Sequence, residues 1–436
     1  AIMGAASANI PTIILPGGPS LKGNWRGEEL GSCTDCRRYW NELRAGNISQ
    51  EDYDSMEESI YRSPGFCMVS GTASTMACIS EAMGMTLVGA ATLPAVDSRR
   101  MALANKSGQQ IVNLVKNNVK FENFLDRQNF LNGIVTLMAM GGSTNAIIHL
   151  LAMAGRTKIK ITLDDFNQIS EKTPVLANLK PAGTKLMEDF HYAGGVSALL
   201  KNIKHLLNLE TKSVSGQTLK DILDQSENFD QQVIRYPSNP VNDKGSIAII
   251  KGSLAPDGAV IKVAAASKKF LNHIGKAIVF NNAKELSDKI DDPDLDISEN
   301  SIIVLRNQGP IGGQGMPESG FLPIPKKLLD KGIRDIVRIS DARMSGTAYG
   351  TIILHIAPES YIGGPLSLVK TGDKIKLSLK TKSIDLLVDN KTLSERKSLL
   401  KDSKHNSEYD RGYGWLYKNH ILQADQGCDF DFLKAK

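Results

Sequence analysis

Apolar and polar positions along this chain follow two rhythms, and the change falls near residue 235. Before it, long stretches with helical spacing alternate with short β-branched runs, which predicts an α/β domain. Thr12-Ile13-Ile14-Leu15 predicts a buried strand closed by the turn Pro16-Gly17-Gly18-Pro19. Helices are predicted through Trp40 and Leu43, over 51–60, over 74–85 where small residues imply tight packing, and over 130–140 and 146–154. Gly141-Gly142-Ser143-Thr144-Asn145 separates the last two.

The segment Ile234-Arg235-Tyr236-Pro237-Ser238-Asn239-Pro240 is punctuated by proline and marks a domain boundary. After it come short β-branched runs over 246–250, 259–264, 276–280, 301–305, 336–338 and 351–356, with a later pair over 374–379 and 383–388. A helix over 285–290 interleaves. The expected architecture is therefore a layered α/β domain over 1–234, then a β-rich, barrel-like α/β domain over 235–436 with a loose tail from about Arg396.

Composition narrows the class without naming a function. The chain has 436 residues, 41% of them hydrophobic, enough for two cores. Its 52 basic and 47 acidic residues are interspersed, so neither nucleic acid nor a membrane surface is an expected partner. No run reaches the roughly 20 apolar residues of a membrane helix. Five cysteines, an odd number, fit a reducing compartment, and a cytoplasmic setting is the default.

Four segments carry candidate chemistry. Cys67 precedes a Gly/Ser/Thr-rich turn that opens a helix, where exposed amides favour a thiolate; a small buried cysteine beside a cap is the plainer reading. Cys33-Thr34-Asp35-Cys36 has the spacing of a zinc, cluster or redox pair, or of two incidental cysteines, with no second pair at zinc-ribbon spacing. Residues 308–318 form a glycine-dense loop ending at Glu318, a hard oxygen donor suited to magnesium. Residues 340–350 place Asp341, Arg343, Ser345 and Thr347 in a glycine-bearing turn after a strand, where α/β folds put catalytic groups. Ser345 lies in no G-x-S-x-G elbow, so a serine hydrolase is not implied. His149, His191 and His355 are read as structural.

Several segments in register resemble the dihydroxy-acid and phosphogluconate dehydratase family, in its sugar-acid branch. They include Met3-Gly4-Ala5-Ala6-Ser7 and residues 71–76, 94–100, 141–145, 189–195, 252–257, 312–318, 340–350 and 425–432. The resemblance implies dehydration of a 2,3-dihydroxy acid to a 2-keto-3-deoxy acid, with a [2Fe–2S] cluster as Lewis acid, Mg2+, and a serine alkoxide as base. Cys67 matches a cluster ligand, Glu318 a magnesium ligand, Ser345 the base and Thr347 the hydroxyl beside it. Met344-Ser345-Gly346-Thr347 resembles the aldonate branch, which favours a pentonate such as arabinonate or xylonate over a branched-chain dihydroxy acid. The family's other metal ligands match positions upstream of Ala1. The chain is therefore expected to be an inactive fragment of a homodimeric or homotetrameric enzyme, or else an inactive sugar-acid-binding relative.

Overall fold

In the computed structural model, which describes residues 1–401 and 409–435, fifteen helices and ten strands make a mixed α/β chain. The helices predicted in the first half form as Ser32–Arg44, Gln50–Glu58, Thr72–Ala82, Arg127–Ala139 and Asn145–Gly155. The last two are apolar nearly all round and accordingly lie at the centre of the helical part. Asp126 caps Arg127–Ala139 by accepting from Gln128 N–H at 2.7 Å and Asn129 N–H at 3.2 Å.

Residues 12–15 do not form the predicted strand. Ile14 N–H bonds to the Met85 carbonyl at 2.9 Å, but no strand lies alongside to continue a ladder. An apolar β-branched run needs a partner edge as well as burial. The one small sheet in this part is the hairpin of β1 (Gly23–Trp25) and β2 (Glu28–Leu30).

The second half closes into the barrel that its pattern implies. Strands β3 (Ala248–Gly252), β4 (Ala255–Ile261), β5 (Asn272–Phe280), β6 (Ile302–Leu305), β7 (Val337–Ser340), β8 (Ile352–Ala357), β9 (Lys374–Ser378) and β10 (Ser383–Leu386) close in the order β10-β3-β4-β8-β7-β6-β5-β9. The pairs β5–β6, β6–β7, β7–β8 and β3–β10 are parallel, and β3–β4, β4–β8, β5–β9 and β9–β10 are antiparallel. Ile250, Ile261, Val304, Ile339, Ile353, Ile375 and Ile384 belong to the core that fills it. Closure leaves no sheet edge, and it brings the carboxyl ends of β6 and β7 side by side.

The tail is not loose where it is described. The helix Asn390–Lys401 continues the chain past Arg396, and residues 409–435 pack back on the molecule. Arg156 is paired with Asp429, and Ala435 N–H reaches the Gly155 carbonyl at 2.8 Å. Residues 402–408 and 436 of the expected tail lie outside the described residues. No helix among those described is long and apolar enough to cross a membrane.

Arg338 on β7 is 1% exposed and meets Asp335 at 3.0 Å, while Asp335 also accepts from Thr351 N–H and Oγ1. A buried guanidinium stripped of its carboxylate is strongly destabilising. Asp335→Ala is expected to lower unfolding stability by about 3–5 kcal/mol, read as a lowered urea midpoint. A change under about 1 kcal/mol would mean that water reaches Arg338.

Candidate active site

Two adjacent barrel strands deliver the two glycine-bearing loops. The loop after β6 is fixed by carboxylates buried beneath it. Asp341 accepts from Gln308 N–H at 2.9 Å and from Ser360 N–H and Oγ. Glu359 accepts from the N–H groups of Ile311 and Gly312 at 2.9 Å and from Gln423 Nε2 at 2.8 Å. Tyr417 closes the far side, accepting from Gly315 N–H at 2.8 Å and donating to the Pro310 carbonyl at 3.0 Å. Burial pushes both carboxyls up from their usual range, against the bonds that favour the charged forms. Asp341 is thus a structural clamp for the loop that carries Glu318.

The loop after β7 presents half-buried Ser345 and buried Thr347, whose hydroxyls lie 2.9 Å apart. Thr347 N–H also points at Ser345 Oγ, at 3.4 Å. Arg37, from the helix Ser32–Arg44, donates through Nη1 to Thr347 Oγ1 and lies 4.9 Å from the centre of the Phe321 ring. Thr34 on the same helix donates to the Thr347 carbonyl at 2.8 Å. Beneath the turn, Lys262 is 1% exposed and donates to the Gly346 carbonyl at 3.1 Å, and burial pulls its pKa down to about 7.

Cys67 faces this turn across Gly71. A Cβ placed on Gly71 would stand 3.2 Å from Thr347 Cγ2 and 3.6 Å from Cys67 Cβ, so the two residues flank one glycine. Cys33, in the first turn of Ser32–Arg44, interacts with Cys67. That contact lowers the Cys33 pKa to about 6 with help from the Arg37 charge and against burial; the same contact and burial push Cys67 up. Tyr61 Oη lies 3.8 Å from Cys67 Sγ. Cys36 turns elsewhere, to Tyr53 Oη at 3.3 Å. The C-x-x-C motif is therefore not a thiol pair in the fold.

Glu318 is tied to the same group of residues through Asn145. Its Oε1 accepts from Asn145 Nδ2 at 2.7 Å and Arg343 Nη1 at 3.3 Å. Asn145 Nδ2 also donates to Thr72 Oγ1 at 3.0 Å, and Thr72 Oγ1 lies 2.9 Å from Ser143 Oγ. Asn145 Oδ1 is buried without a partner, so a hard oxygen is left over beside the Glu318 carboxylate. The donors remain few. Among the described residues no three His, Cys, Asp or Glu side chains gather to hold a metal ion. Two thiols at one point and one carboxylate at another do not complete a [2Fe–2S] or magnesium donor set.

A run of contacts through Gly71, Thr72 and Asn145 thus links Cys67, Ser345, Thr347 and Glu318, and Arg37, Lys262, Asn145 and Cys33 join it, three of which sequence reading did not select. Arg37 and Lys262 sit in ordinary helix and strand contexts, and only the packing shows what they face. The Gly-Gly-Ser-Thr-Asn run held a weak signal for Asn145. Cys78 is buried as expected, and Cys428 lies 3.5 Å from the Met316 sulfur. His191 bonds Thr92 Oγ1 at 3.0 Å.

Comparison with known proteins gives the same assignment along the whole chain. Residues 1–222 match the dihydroxy-acid/6-phosphogluconate dehydratase N-terminal model, and residues 232–428 match the corresponding C-terminal model. A 6-deoxy-6-sulfo-D-gluconate dehydratase of Pseudomonas putida is 44% identical over 437 residues, covering 100% of this chain and 75% of that protein. An L-arabinonate dehydratase of Rhizobium leguminosarum bv. trifolii is 44% identical over 436 residues, with the same coverage. A dihydroxy-acid dehydratase of Thermodesulfovibrio yellowstonii is 36% identical over 428 residues, covering 98% of this chain and 76% of that protein. The expectation of an inactive fragment gains no support from these matches. This chain belongs to the dihydroxy-acid/6-phosphogluconate dehydratase family.

Proposed function

We propose that this chain dehydrates a sugar acid, a pentonate such as arabinonate or xylonate, to the 2-keto-3-deoxy acid. The observation that carries this reading is the hydrogen-bonded series Ser345–Thr347–Arg37, which faces Cys67 across Gly71. Similarity to an L-arabinonate dehydratase supports the substrate class. A homodimer or homotetramer is part of the same reading.

The reaction breaks the C2–H bond, forms a C2–C3 double bond and expels the C3 hydroxyl; the enol product then becomes the ketone. Ser345 Oγ takes the C2 proton. A free serine hydroxyl is too weak a base at neutral pH, so its alkoxide needs stabilisation. Arg37 can only donate, so Thr347 keeps its own hydroxyl hydrogen for Ser345. The Thr347 O–H and N–H then both aim at Ser345 Oγ, with a guanidinium charge one residue behind. Lys262 holds the Gly346 carbonyl and so fixes the turn between the two hydroxyls. The resemblance calls for a [2Fe–2S] cluster and Mg2+, toward which Cys67 and Glu318 are this chain's donors. The described residues complete neither site, and their assigned work is the proton transfer at C2 and the positioning around it.

Activity is tested by following 2-keto-3-deoxy acid formation with L-arabinonate, D-xylonate, 6-deoxy-6-sulfogluconate and 2,3-dihydroxyisovalerate. Turnover of a pentonate is expected. Turnover of only the branched acid would move the chain to the other branch, and binding without turnover would make it an inactive relative. Ser345→Ala should lower kcat about a thousandfold, or ~4 kcal/mol, with KM changed little. Unchanged kcat would remove Ser345 as base.

Arg37→Met tests the charge. It should lower kcat by ten- to a hundredfold, about 1.5–3 kcal/mol for a hydrogen bond to a charged group. A cation stabilises the alkoxide, so its loss raises the serine pKa and moves the rising limb of the kcat–pH profile to higher pH. An unmoved limb would leave Arg37 a packing residue only.

A further inference from the structure

We infer that Asp35 is a positioning residue that seats Thr34 and Arg37 on the serine turn, which rests on the reading of Ser345 as base and Arg37 as the charge behind it. Asp35 belongs to the Cys33-Thr34-Asp35-Cys36 run and is 2% exposed. A carboxylate this deep needs donors in place of water. It has three. Oδ2 accepts from Gly31 N–H at 2.6 Å and from Lys180 Nζ at 2.7 Å, and Oδ1 accepts from Arg38 Nε at 3.2 Å. Gly31 opens the helix Ser32–Arg44 and has no side chain with which to cap it. Asp35 reaches back from the first turn instead, where the helix dipole favours an anion.

The helix is gripped on two faces. Thr34, Arg37 and Asn41 are three and four residues apart and so share one face. Thr34 Oγ1 donates to the Thr347 carbonyl at 2.8 Å, Arg37 Nη1 to Thr347 Oγ1, and Asn41 Nδ2 to Tyr349 Oη at 3.3 Å. Asp35 and Arg38 occupy the adjacent face, paired with Lys180 and Glu28 respectively. Lys180 is itself anchored. Its Nζ also donates to the Glu29 carbonyl at 3.2 Å, and its carbonyl accepts from Ser70 N–H, beside Gly71, at 2.9 Å. Rotation of the helix about its axis would swing Arg37 off Thr347, and the Asp35–Lys180 pair opposes that rotation. Asp35 makes no bond to the serine turn among the described residues, so its effect passes through the helix. Its charge is engaged by Lys180 and Arg38, which leaves the Arg37 guanidinium to Thr347.

The test compares the full chain with Asp35→Asn, Lys180→Met, Arg37→Met and the double variant of Asp35→Asn with Arg37→Met. Asp35→Asn keeps an acceptor for Gly31 N–H and removes the charge that holds Lys180. It should lower kcat on L-arabinonate about ten- to a hundredfold with KM changed little, and Lys180→Met should act in the same direction. In the Arg37→Met background, Asp35→Asn should cost less than about twofold more, because both changes remove one interaction. Losses that multiply would mean a general loss of folded protein and would overturn the inference. Hydrogen–deuterium exchange needs no turnover: it should quicken over residues 345–349 in both Asp35→Asn and Lys180→Met. Quickening confined to residues 31–38 would make Asp35 a helix cap only and would also overturn the inference. If Arg37→Met leaves kcat unchanged, or L-arabinonate is not turned over, the reading of Arg37 and Ser345 fails, and exchange over 345–349 alone decides for or against Asp35.

Discussion

The site depends on a seam where the barrel turn meets the helices at small residues. A Cβ on Gly346 would lie 2.6 Å from Ser143 Cβ and 3.0 Å from the Gly71 carbonyl carbon. Only glycine at 346 lets the barrel turn sit this deeply among the helices, because a side chain there would collide with Ser143 and with the main chain of Gly71. The contact carries the active geometry with it. Ser345 and Thr347 flank Gly346, Cys67 lies just before Gly71, and Ser143 reaches Glu318 through Thr72 and Asn145. Candidate groups from four distant stretches of chain are thereby held in one place by three small residues.

Holding those loops has an electrostatic cost. Asp341, Glu359 and Lys262 are all buried, and none has an oppositely charged partner among the ion pairs described. Each is satisfied by main-chain groups: Asp341 and Glu359 accept amide hydrogens of the glycine-dense loop, and Lys262 donates to the Gly346 carbonyl. Burying a polar or charged group is tolerable only when such bonds replace water. A glycine-rich loop without them would pay the full entropy of its many conformations. The buried charges therefore work against loop freedom, and they do so directly behind Ser345 and Glu318.

The barrel was legible because its strands are short β-branched runs cut by Gly and Pro, and each found a partner on closure. Residues 12–15 have the same local pattern and no neighbouring edge, so propensity alone misled there. The tail looked loose because Trp415, Tyr417 and Phe430 are scattered in a polar sequence; Tyr417 nonetheless caps the glycine-dense loop through its hydroxyl. Local pattern singled out Cys67, Glu318 and the 340–350 turn as candidates, and family likeness supplied the roles of Cys67, Glu318, Ser345 and Thr347. Arg37 and Lys262 carry no pattern at all, since only the packing shows that they face the serine turn with no acidic partner among the described residues. The C-x-x-C spacing left open whether Cys33 and Cys36 act together, and the fold turns Cys36 to Tyr53.

Arg37 shows how one charge can serve two neighbours. Most other arginines around the cleft are matched with acids: Arg38 with Glu28 and Asp35, Arg44 with Asp291, Arg334 with Glu42 and Arg343 with Glu318. A matched guanidinium spends its field on its partner. Arg37 has no such partner among the described residues and is half-buried, so its field acts at longer range than an exposed charge would manage. On one side it bears on the Thr347–Ser345 hydroxyls, on the other on Cys33. Both are groups whose useful form is an anion, an alkoxide or a thiolate. An acid introduced beside Arg37 would quench both at once, whereas loss of Cys33 would touch only the thiols. The helix Ser32–Arg44 thus carries one charge that bears on both Thr347 and Cys33.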